Sequence, residues 1–495
     1  MNLTPEQQRI VEHITSDSGT GYTLVNSVAG SGKTTLLTTI ANTLEPTRAL
    51  YLAYNKSIAT EASRKFPKSV ICSTVHSLAY APTVKTYSLS LGTFTYRDMP
   101  TYYDYEYKLY LLDILKKFFL SEHTDFTIFA KAEDVPDPDI EYLSNVISQM
   151  ESKIINCTHD FYLKYFHILL SKGLIHYEPF DFIALDEAGD INPVTLAIVK
   201  LLPAKRKILV GDSRQNIYSF NHTINCFSVV DGASFPMSQS FRVSPPIATR
   251  VQKFCNNFID KDMVFLGTKQ AEKTKTWTTA FISRTNAFLI SKMMELNSTK
   301  TPYTLVRSAD DIFKTAKELC FISPTKRIFN HELKFVQNDI DEYYKSYELQ
   351  YLYKNVYSYL LEQYKEDLQL STTIKLIMRH TSKGMMACYD EAKAHEKLKT
   401  TLLLGTAHSF KGLEVDEVYI ADDLNVAALQ IIAKMESLSI PYHKLPPLAQ
   451  SELNLYYVAC TRAHSVLHNA TVLDYKPTTT SNSTKSISVD LGDFQ

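Results

Sequence analysis

The chain has 495 residues, of which 45% are hydrophobic and 21% are charged, and its formal net charge at pH 7 is −1. These values are typical of a globular protein of several domains, and they exclude an overall basic surface, so nucleic-acid binding would have to depend on local patches. No signal peptide or membrane-spanning run is recognisable, and the seven scattered cysteines form no metal or disulfide pattern. We therefore expect a cytoplasmic, reducing compartment and no membrane partner. We also expect a monomer.

The first motif is a phosphate-binding loop at residues 27–35 (SVAGSGKTT), between an apolar run at 22–25 and a helical run at 36–44. Glycines in such a turn allow backbone N–H groups and the helix N-terminus to face a phosphate. Lys33 can reach the β- and γ-phosphates, and the Thr34 hydroxyl can bind Mg²⁺. Ser27 replaces the first glycine of the usual pattern G-x-x-x-x-G-K-[ST]. The alternative from these residues alone is a simple Gly/Ser turn.

Further short apolar runs alternate with helical segments along the chain, at 49–53, 70–72, 182–185, 207–210, 281–283 and 418–421. Strands that alternate with helices favour an α/β fold with parallel sheets. Ligands of such sheets lie beyond the carboxyl ends of the strands, and polar motifs follow several of these runs.

Two polar motifs follow the runs at 182–185 and 207–210. Asp186 can hold Mg²⁺ and Glu187 can act as the general base for an attacking water. In the segment 210–220 (VGDSRQNIYSF), Gln215 can sense a γ-phosphate, and Tyr218 and Phe220 supply flat apolar faces. Taken alone, an acidic turn after a strand is common, and these aromatic residues could equally fill a core.

In their order and spacing these segments resemble the superfamily 1A DNA helicases of the UvrD/Rep/PcrA group. Other segments match motifs of that group in the same order: 3–7 (LTPEQ), 53–57 (AYNKS), 74–78 (TVHSL), 239–243 (QSFRV), 283–287 (SRTNA), 405–414 (GTAHSFKGLE) and 455–463 (LYYVACTRA). The chain departs from the family pattern where Gly189 replaces a glutamine and where residues 221–223 (NHT) replace Arg-Gly-Ala. These departures concern how tightly the bound nucleotide state is coupled to DNA contact and to closure of the domains.

The resemblance implies ATP and Mg²⁺ as cofactors and assigns a role to each matching residue. The nucleotide would contact Gln7, Ala29, Gly30, Ser31, Gly32, Lys33, Thr34, Thr35, Phe241, Arg242 and Glu414, and Mg²⁺ would contact Thr34 and Asp186. The catalytic set would be Lys33, Glu187, Gln215, Arg242 and the arginine finger Arg462. Single-stranded DNA would contact Tyr54, Asn55, His76, Tyr218, Phe220 and His408.

The resemblance also implies two RecA-like P-loop domains with ATP between them, each carrying a mainly helical insert. The expected first domain comprises 1–82 and 178–235, with an insert at 83–177. The expected second domain comprises 236–318 and 400–475, with a short insert at 319–399. A low-complexity tail, 476–495, is expected to be disordered.

Three features outside the motifs leave alternatives open. The tyrosine-rich segment 107–119 fits a helical core better than a DNA surface. The basic cluster of Lys375, Arg379, His380 and Lys383 fits duplex phosphates and a solvated helix face equally well. The tail could dock on a replication or recombination protein.

The function implied is an ATP-dependent translocase and helicase that moves 3′ to 5′ on single-stranded DNA, acts at junctions of single-stranded and double-stranded DNA, and serves replication, recombination or repair. One alternative is a translocase that displaces bound proteins and unwinds little. An alternative of another class is a nucleotide-gated nucleic-acid-binding module without productive hydrolysis.

Overall fold

The computed structural model describes residues 3–16, 21–219, 222–269, 276–330 and 333–476, and the chain divides into two compact units, 1–239 and 240–495. The first unit has strands β1 (Gly21–Ser27), β2 (Ala49–Leu52), β3 (Val70–Ser73), β4 (Phe180–Leu185), β5 (Ala204–Gly211) and β6 (Ala233–Met237). Its helices are α1 (Pro5–Thr15), α2 (Lys33–Leu44), α3 (Lys56–Ala62), α4 (Val75–Tyr80), α5 (Tyr105–Leu120), α6 (Phe126–Ala132), α7 (Asp137–Glu151), α8 (His159–Ser171) and α9 (Pro193–Leu201).

Strand β7 (Gln239–Ser240) lies at the boundary between the units. The strands that follow are β8 (Leu266–Gly267), β9 (Thr279–Ser283), β10 (Thr304–Leu305), β11 (Leu402–Thr406), β12 (Val415–Ile420) and β13 (Ala463–His468). The helices of the second unit are α10 (Pro245–Phe258), α11 (Asn286–Ser298), α12 (Ala309–Ile312), α13 (Lys314–Leu319), α14 (Lys334–Lys345), α15 (Tyr347–Leu352), α16 (Val356–Gln363), α17 (Leu368–His395), α18 (Asp422–Leu438) and α19 (Pro447–Cys460).

The first unit is built on a six-stranded sheet in the order β3-β2-β4-β5-β1-β6, and every neighbouring pair is parallel. On one face, Ile10 of α1 and Leu36 of α2 share a core with Val25 and Val210 of the sheet. Helices α4 to α9 supply the core of the other face together with Leu50. Because both faces are covered, every residue of β2 is buried.

The second unit is built on a five-stranded parallel sheet in the order β10-β11-β9-β12-β13. Helices α12 to α17 occupy the chain between β10 and β11, and they form one core with α11 and with Leu404 of β11. The apolar runs expected as strands all overlap strands of the two sheets, and the prediction of an α/β fold with parallel sheets is confirmed.

Helical segments separate strands in both units where inserts were expected. Residues 107–119 lie in α5, where Leu111, Ile114 and Phe118 are buried in the core. The basic cluster of the second unit lies on α17, which is interrupted at Thr381 (φ 64°, ψ 162°). The tail beyond residue 476 and Phe220 lie outside the described residues. Among the helices of the described ranges, none combines the length and the apolarity that a membrane span requires.

Candidate nucleotide and nucleic-acid site

The phosphate loop connects β1 to α2 at the carboxyl edge of the first sheet. Gly30 and Gly32 have φ values of 72° and 83°, a left-handed conformation that glycine adopts without a Cβ clash. Gly32 is the N-cap of α2, so Lys33, Thr34 and Thr35 form the first turn of this helix. The loop therefore has the backbone form that turns N–H groups and the positive end of a helix dipole towards an anion.

The loop also contains a polar atom that the protein itself does not satisfy. The Ser31 hydroxyl is buried, and within the described residues it has no hydrogen-bond partner. The Ser31 carbonyl accepts from Nε2 of Gln7 at 3.1 Å, and the Gln7 Oε1 accepts from the Thr4 backbone at 3.0 Å. A buried hydroxyl without a partner is costly, and a phosphate oxygen would satisfy it. Gln7 supports the loop, while the neighbouring Ala29 is buried.

A charged cluster lies beside the loop. Lys33 Nζ is 3.1 Å from Glu187 Oε1, and the Tyr51 hydroxyl donates to Asp186 Oδ2 at 2.6 Å. Burial opposes the charge of Lys33, but the carboxylates of Glu187, Asp186 and Asp212 outweigh it and raise the pKa of Lys33. Burial raises the pKa of Asp186, and the Lys33 ammonium counteracts this shift. Lys33 is therefore held charged at the point where a phosphate would lie.

The donor set fits Mg²⁺. Asp186 is 6% exposed and follows β4, and Thr34 is only half-buried in the first turn of α2. Mg²⁺ prefers oxygen ligands and is commonly held by one or two carboxylates together with substrate phosphates. No cluster of three or more His, Cys, Asp or Glu side chains with metal-site geometry occurs in the part of the chain that the structure describes. A metal here would accordingly depend on phosphate oxygens for its remaining ligands.

The candidate γ-phosphate sensor, Gln215, lies in a 3₁₀ turn after β5. Its Nε2 donates to Oδ2 of Asp212 at 3.0 Å, and Gln215 is 5% exposed. The other carboxylate oxygen, Oδ1, accepts from Nε of Arg214 at 2.9 Å. The same carboxylate thus orients the glutamine amide and an arginine.

The packing around Gly189 and Gly211 explains why position 189 is a glycine and not the glutamine of the family pattern. A Cβ at Gly189 would overlap the carbonyl oxygen of Asp212, and a Cβ at Gly211 would lie 2.8 Å from the backbone nitrogens of Ala188 and Gly189. The loop after β4 therefore lies directly on the turn after β5. A glutamine at position 189 does not fit this packing.

A cavity of about 380 Å³ opens beside the charged cluster in the first unit. Its wall includes Tyr54, His76 and Tyr218, three of the expected DNA contacts, together with Asp186. Tyr54 is 49% exposed, and burial of its remainder and the neighbouring Tyr218 raise the pKa of Tyr54 to about 12. Burial lowers the pKa of His76, so this ring is neutral at pH 7. The cavity offers neutral aromatic surfaces of the kind on which bases stack.

The other expected DNA contacts are placed differently. The Asn55 side chain accepts from the Ile58 backbone at 2.9 Å and caps α3. Phe220 lies outside the described residues, so its role stays a prediction. His408 is half-buried in the second unit and follows β11.

In the second unit, Arg242 and Glu414 form an ion pair. His464 lies 3.6 Å from Glu414 and 3.6 Å from Asp416. The nearby His464 and Arg242 lower the pKa of Glu414 to about 2, so the pair is charged throughout the physiological range. Phe241, the residue before Arg242, is 47% exposed, and a residue that stacks on a base has to be accessible in this way.

Arg462 is 1% exposed and is held by its own unit. Its Nε donates to the Val458 carbonyl at 2.9 Å, and its Nη1 donates to the Leu413 carbonyl at 3.3 Å. Arg284, in the matching segment 283–287, pairs with Glu452 at 2.8 Å. The motifs of the second unit are therefore ordered by internal hydrogen bonds.

Several residues around the site carry no role in the sequence interpretation, namely Tyr51, Asp212, Arg214, Asp416 and His464. Tyr51 belongs to an apolar strand, and the sequence does not indicate that its hydroxyl donates to Asp186. Asp212 and Arg214 stand inside a recognised motif, and a charged pair two residues apart after a buried strand is a signal that could have indicated them. His464 lies two residues after Arg462.

Comparison with known proteins agrees with this geometry. Residues 7–221 match a family described as an AAA domain. The chain is 25% identical to F-box DNA helicase 1 of Gallus gallus, over 94% of this chain and 49% of the relative. It is 24% identical to F-box DNA helicase protein 1 of Schizosaccharomyces pombe, over 93% of this chain and 56% of the relative. A "Probable DNA helicase II homolog" of Mycoplasma genitalium is 24% identical over 53% of this chain and 44% of the relative.

The two parallel sheets and the phosphate loop agree with these matches: residues 7–221 match an AAA domain that is typical of UvrD/Rep-like superfamily 1 helicases. The resemblance to that group is confirmed, and relatives in a bird, a yeast and a bacterium are named DNA helicases. The chain spans about half the length of these relatives.

Proposed function

We propose that the chain is an ATP-dependent translocase and helicase that moves 3′ to 5′ on single-stranded DNA. One observation carries the proposal: Asp186 belongs to the charged cluster at the phosphate loop and also lines the cavity that contains Tyr54 and His76. A change in phosphate occupancy at one side of Asp186 can therefore alter the walls of the cavity on its other side. That adjacency is what coupling of hydrolysis to movement requires.

Phosphoryl transfer depends on positioning and charge stabilisation, and the first unit supplies part of the residues that this chemistry needs. Lys33 neutralises the β- and γ-phosphates, and Glu187 orients the attacking water and accepts its proton once Lys33 has turned to the phosphate. Gln215 reports whether the γ-phosphate is present. Mg²⁺, held by Thr34 and Asp186, would stabilise the charge that develops on the phosphate oxygens.

Residues of the second unit extend the proposal. Arg242 and Arg462 are the proposed cations on the transferring phosphate, and Phe241 with Gln7 are the proposed adenine contacts. Each arginine must exchange a partner for this role, because Arg242 is paired with Glu414 and Arg462 donates to backbone carbonyls. Such an exchange would make the two arginines sensitive to nucleotide.

The DNA track would use base stacking. Tyr54 and Tyr218 line the cavity and are the proposed stacking residues, and leaving such a stack costs about 1–3 kcal/mol per base. Asn55, Phe220 and His408 complete the proposed contacts. The substrates would be single-stranded DNA and its junctions with duplex in replication, recombination or repair, and the tail 476–495 is proposed as a docking segment for a partner protein in that work.

The decisive experiment compares duplexes that carry a 3′ or a 5′ single-stranded tail. With ATP and Mg²⁺, the purified chain should unwind the 3′-tailed duplex, and Lys33→Ala should unwind neither. Unwinding of the 5′-tailed duplex alone would overturn the polarity. DNA-stimulated ATP hydrolysis without displacement of either strand would overturn the helicase assignment.

A second candidate is a translocase that strips proteins from single strands and unwinds little. His222, where the family pattern has glycine, lies 3.5 Å from Asp113 of α5, so the motif after β5 is tied to the insert here. Displacement of a single-strand-binding protein from a labelled oligonucleotide, measured beside strand displacement, separates the two activities. Absence of DNA-stimulated hydrolysis would instead support the nucleotide-gated binding module.

A further inference from the structure

Arg214 is a buried charge whose position calls for an explanation. It is 5% exposed, and its partner Asp212 is 1% exposed. Desolvation of two buried charges costs several kcal/mol per ion, so a buried ion pair is a weak source of stability. The contacts of Arg214 indicate another role.

The guanidinium bridges two parts of the candidate site. Nε donates to Asp212 Oδ1 at 2.9 Å, and Nη2 donates to the Ser27 carbonyl at 3.1 Å. Asp212 Oδ2 accepts from Gln215 Nε2 at 3.0 Å. One chain of hydrogen bonds therefore runs from the stem of the phosphate loop through Arg214 and Asp212 to the amide of Gln215.

Two further residue pairs connect the stem of the phosphate loop to the end of β5 and to the turn that follows it. The Ser27 hydroxyl donates to the Gly211 carbonyl at 2.9 Å, a bond that the glycine of the usual phosphate-loop pattern cannot make. Asn26 exchanges two hydrogen bonds with Ser213, both of 3.1 Å. The departure at Ser27 thus belongs to the same network as Arg214.

We propose that Arg214 is a positioning residue that joins the phosphate loop to the sensor turn 213–215, so that Gln215 keeps a fixed orientation towards a nucleotide held by the loop. The inference rests on the proposed ATP hydrolysis for its kinetic consequence, but the mechanical link exists without nucleotide. Arg214 is not one of the proposed phosphate contacts. Its loss should reduce turnover through Gln215 and leave nucleotide affinity nearly unchanged.

The test uses Arg214→Lys, which keeps the charge but lacks the second nitrogen needed to span Asp212 and Ser27, and Arg214→Met. Misplacement of a catalytic group by about 1 Å costs on the order of 10²-fold, so kcat should fall about 10- to 100-fold while KM changes less than about threefold. In a Gln215→Ala background the same substitutions should have no further effect on kcat. An additive loss in that background would overturn the proposal.

Arg206 provides a matched control. It lies on β5, the strand before the sensor turn, and is likewise buried (7% exposed), and its Nε donates to the Ile14 carbonyl at 2.7 Å, away from the phosphate loop. Arg206→Lys should lower thermal stability without changing the kcat of the folded protein. An equal loss of kcat in both variants would mean that Arg214 acts only through stability.

Hydrogen exchange of the nucleotide-free protein tests the link without any activity. Arg214→Lys should speed exchange of amides in 26–33 and in 213–215 by about tenfold, and Arg206→Lys should not. Unchanged exchange in both segments would overturn the proposal even if the wild type hydrolyses ATP. Faster exchange with no ATP hydrolysis by the wild type would refute the proposed function and leave the link standing.

Discussion

Replacement of Lys33 by methionine tests the charged cluster most directly. Lys33→Met should abolish ATP hydrolysis and leave binding of nucleotide-free protein to single-stranded DNA largely intact, because Lys33 contacts the carboxylate of Glu187 and does not line the aromatic cavity. Methionine keeps most of the side-chain volume, so packing is preserved. The variant therefore separates charge from shape.

The size of the effect on stability follows from the ion pair. Lys33 and Glu187 are 3.1 Å apart, and their side chains are 16% and 23% exposed. With an effective dielectric constant of about 20, this distance corresponds to about 5 kcal/mol of gross attraction. Desolvation and partial exposure reduce the loss expected on removing one partner to about 2–3 kcal/mol.

This loss should depend on pH. Burial raises the pKa of Asp186, and a carboxyl whose pKa is raised in the folded state destabilises the protein as pH rises through that pKa. Without Lys33 the pKa of Asp186 rises further, so the destabilisation should be smaller at an acidic pH than at an alkaline pH. Adding Glu187→Gln should diminish it, because one of the repelling carboxylates is removed.

Urea denaturation of wild type, Lys33→Met and the double variant at both pH values measures these differences, and a coupled assay measures hydrolysis. The reasoning would be refuted by turnover within about tenfold of wild type. It would also be refuted by a loss of stability that is the same at both pH values.

Three further predictions concern other parts of the chain. Arg462→Ala should reduce turnover by about 10³-fold or more with a much smaller change in nucleotide affinity, and normal turnover at saturating ATP would show that it does not act on the transition state. Tyr54→Ala should weaken single-strand affinity by about 1–3 kcal/mol with the melting temperature unchanged, whereas Tyr419→Ala, similarly exposed in the second unit, should leave affinity unaltered. Burial lowers the pKa of His167 to about 4, so the free energy of unfolding should fall by up to about 3 kcal/mol as pH drops from about 6.5 to 4. His167→Gln should flatten this pH dependence in denaturation curves, and an unchanged slope would contradict the assignment.

The sequence predicts the parallel sheets because their strands leave a plain signal. Both faces of such a sheet are buried, so runs such as 182–185 are continuously apolar and are followed by polar residues where the ligand edge begins. The glycines of the phosphate loop are an equally clear signal in the sequence, since Gly30 and Gly32 take the left-handed backbone angles that glycine favours. Short strands such as β10 carry too few residues for a periodic pattern, so the sequence does not indicate them.

The contacts of the candidate site are harder to predict, because they join residues far apart in the chain. Tyr51 lies among buried apolar residues, and only the fold brings its hydroxyl to Asp186. The link of Arg214 to Ser27 joins residues that are 187 positions apart in the sequence. Local patterns report burial and turn chemistry, but the choice of partner for a buried polar group is set by tertiary packing.

Two of the departures from the family pattern in the first unit, Ser27 and Gly189, have a common physical cause. Both residues lie where the phosphate-loop stem and the loop after β4 meet Gly211 and the turn after β5. Glycine at 189 allows the backbone of one loop to rest on the Asp212 carbonyl, and serine at 27 supplies a hydrogen bond that holds the stem to Gly211. Each change taken singly weakens the match to a motif. Together they join these loops through a close backbone contact at Gly189 and a hydrogen bond from Ser27, so Gln215 depends on close approach of the backbones and on the bridge through Arg214 for its orientation.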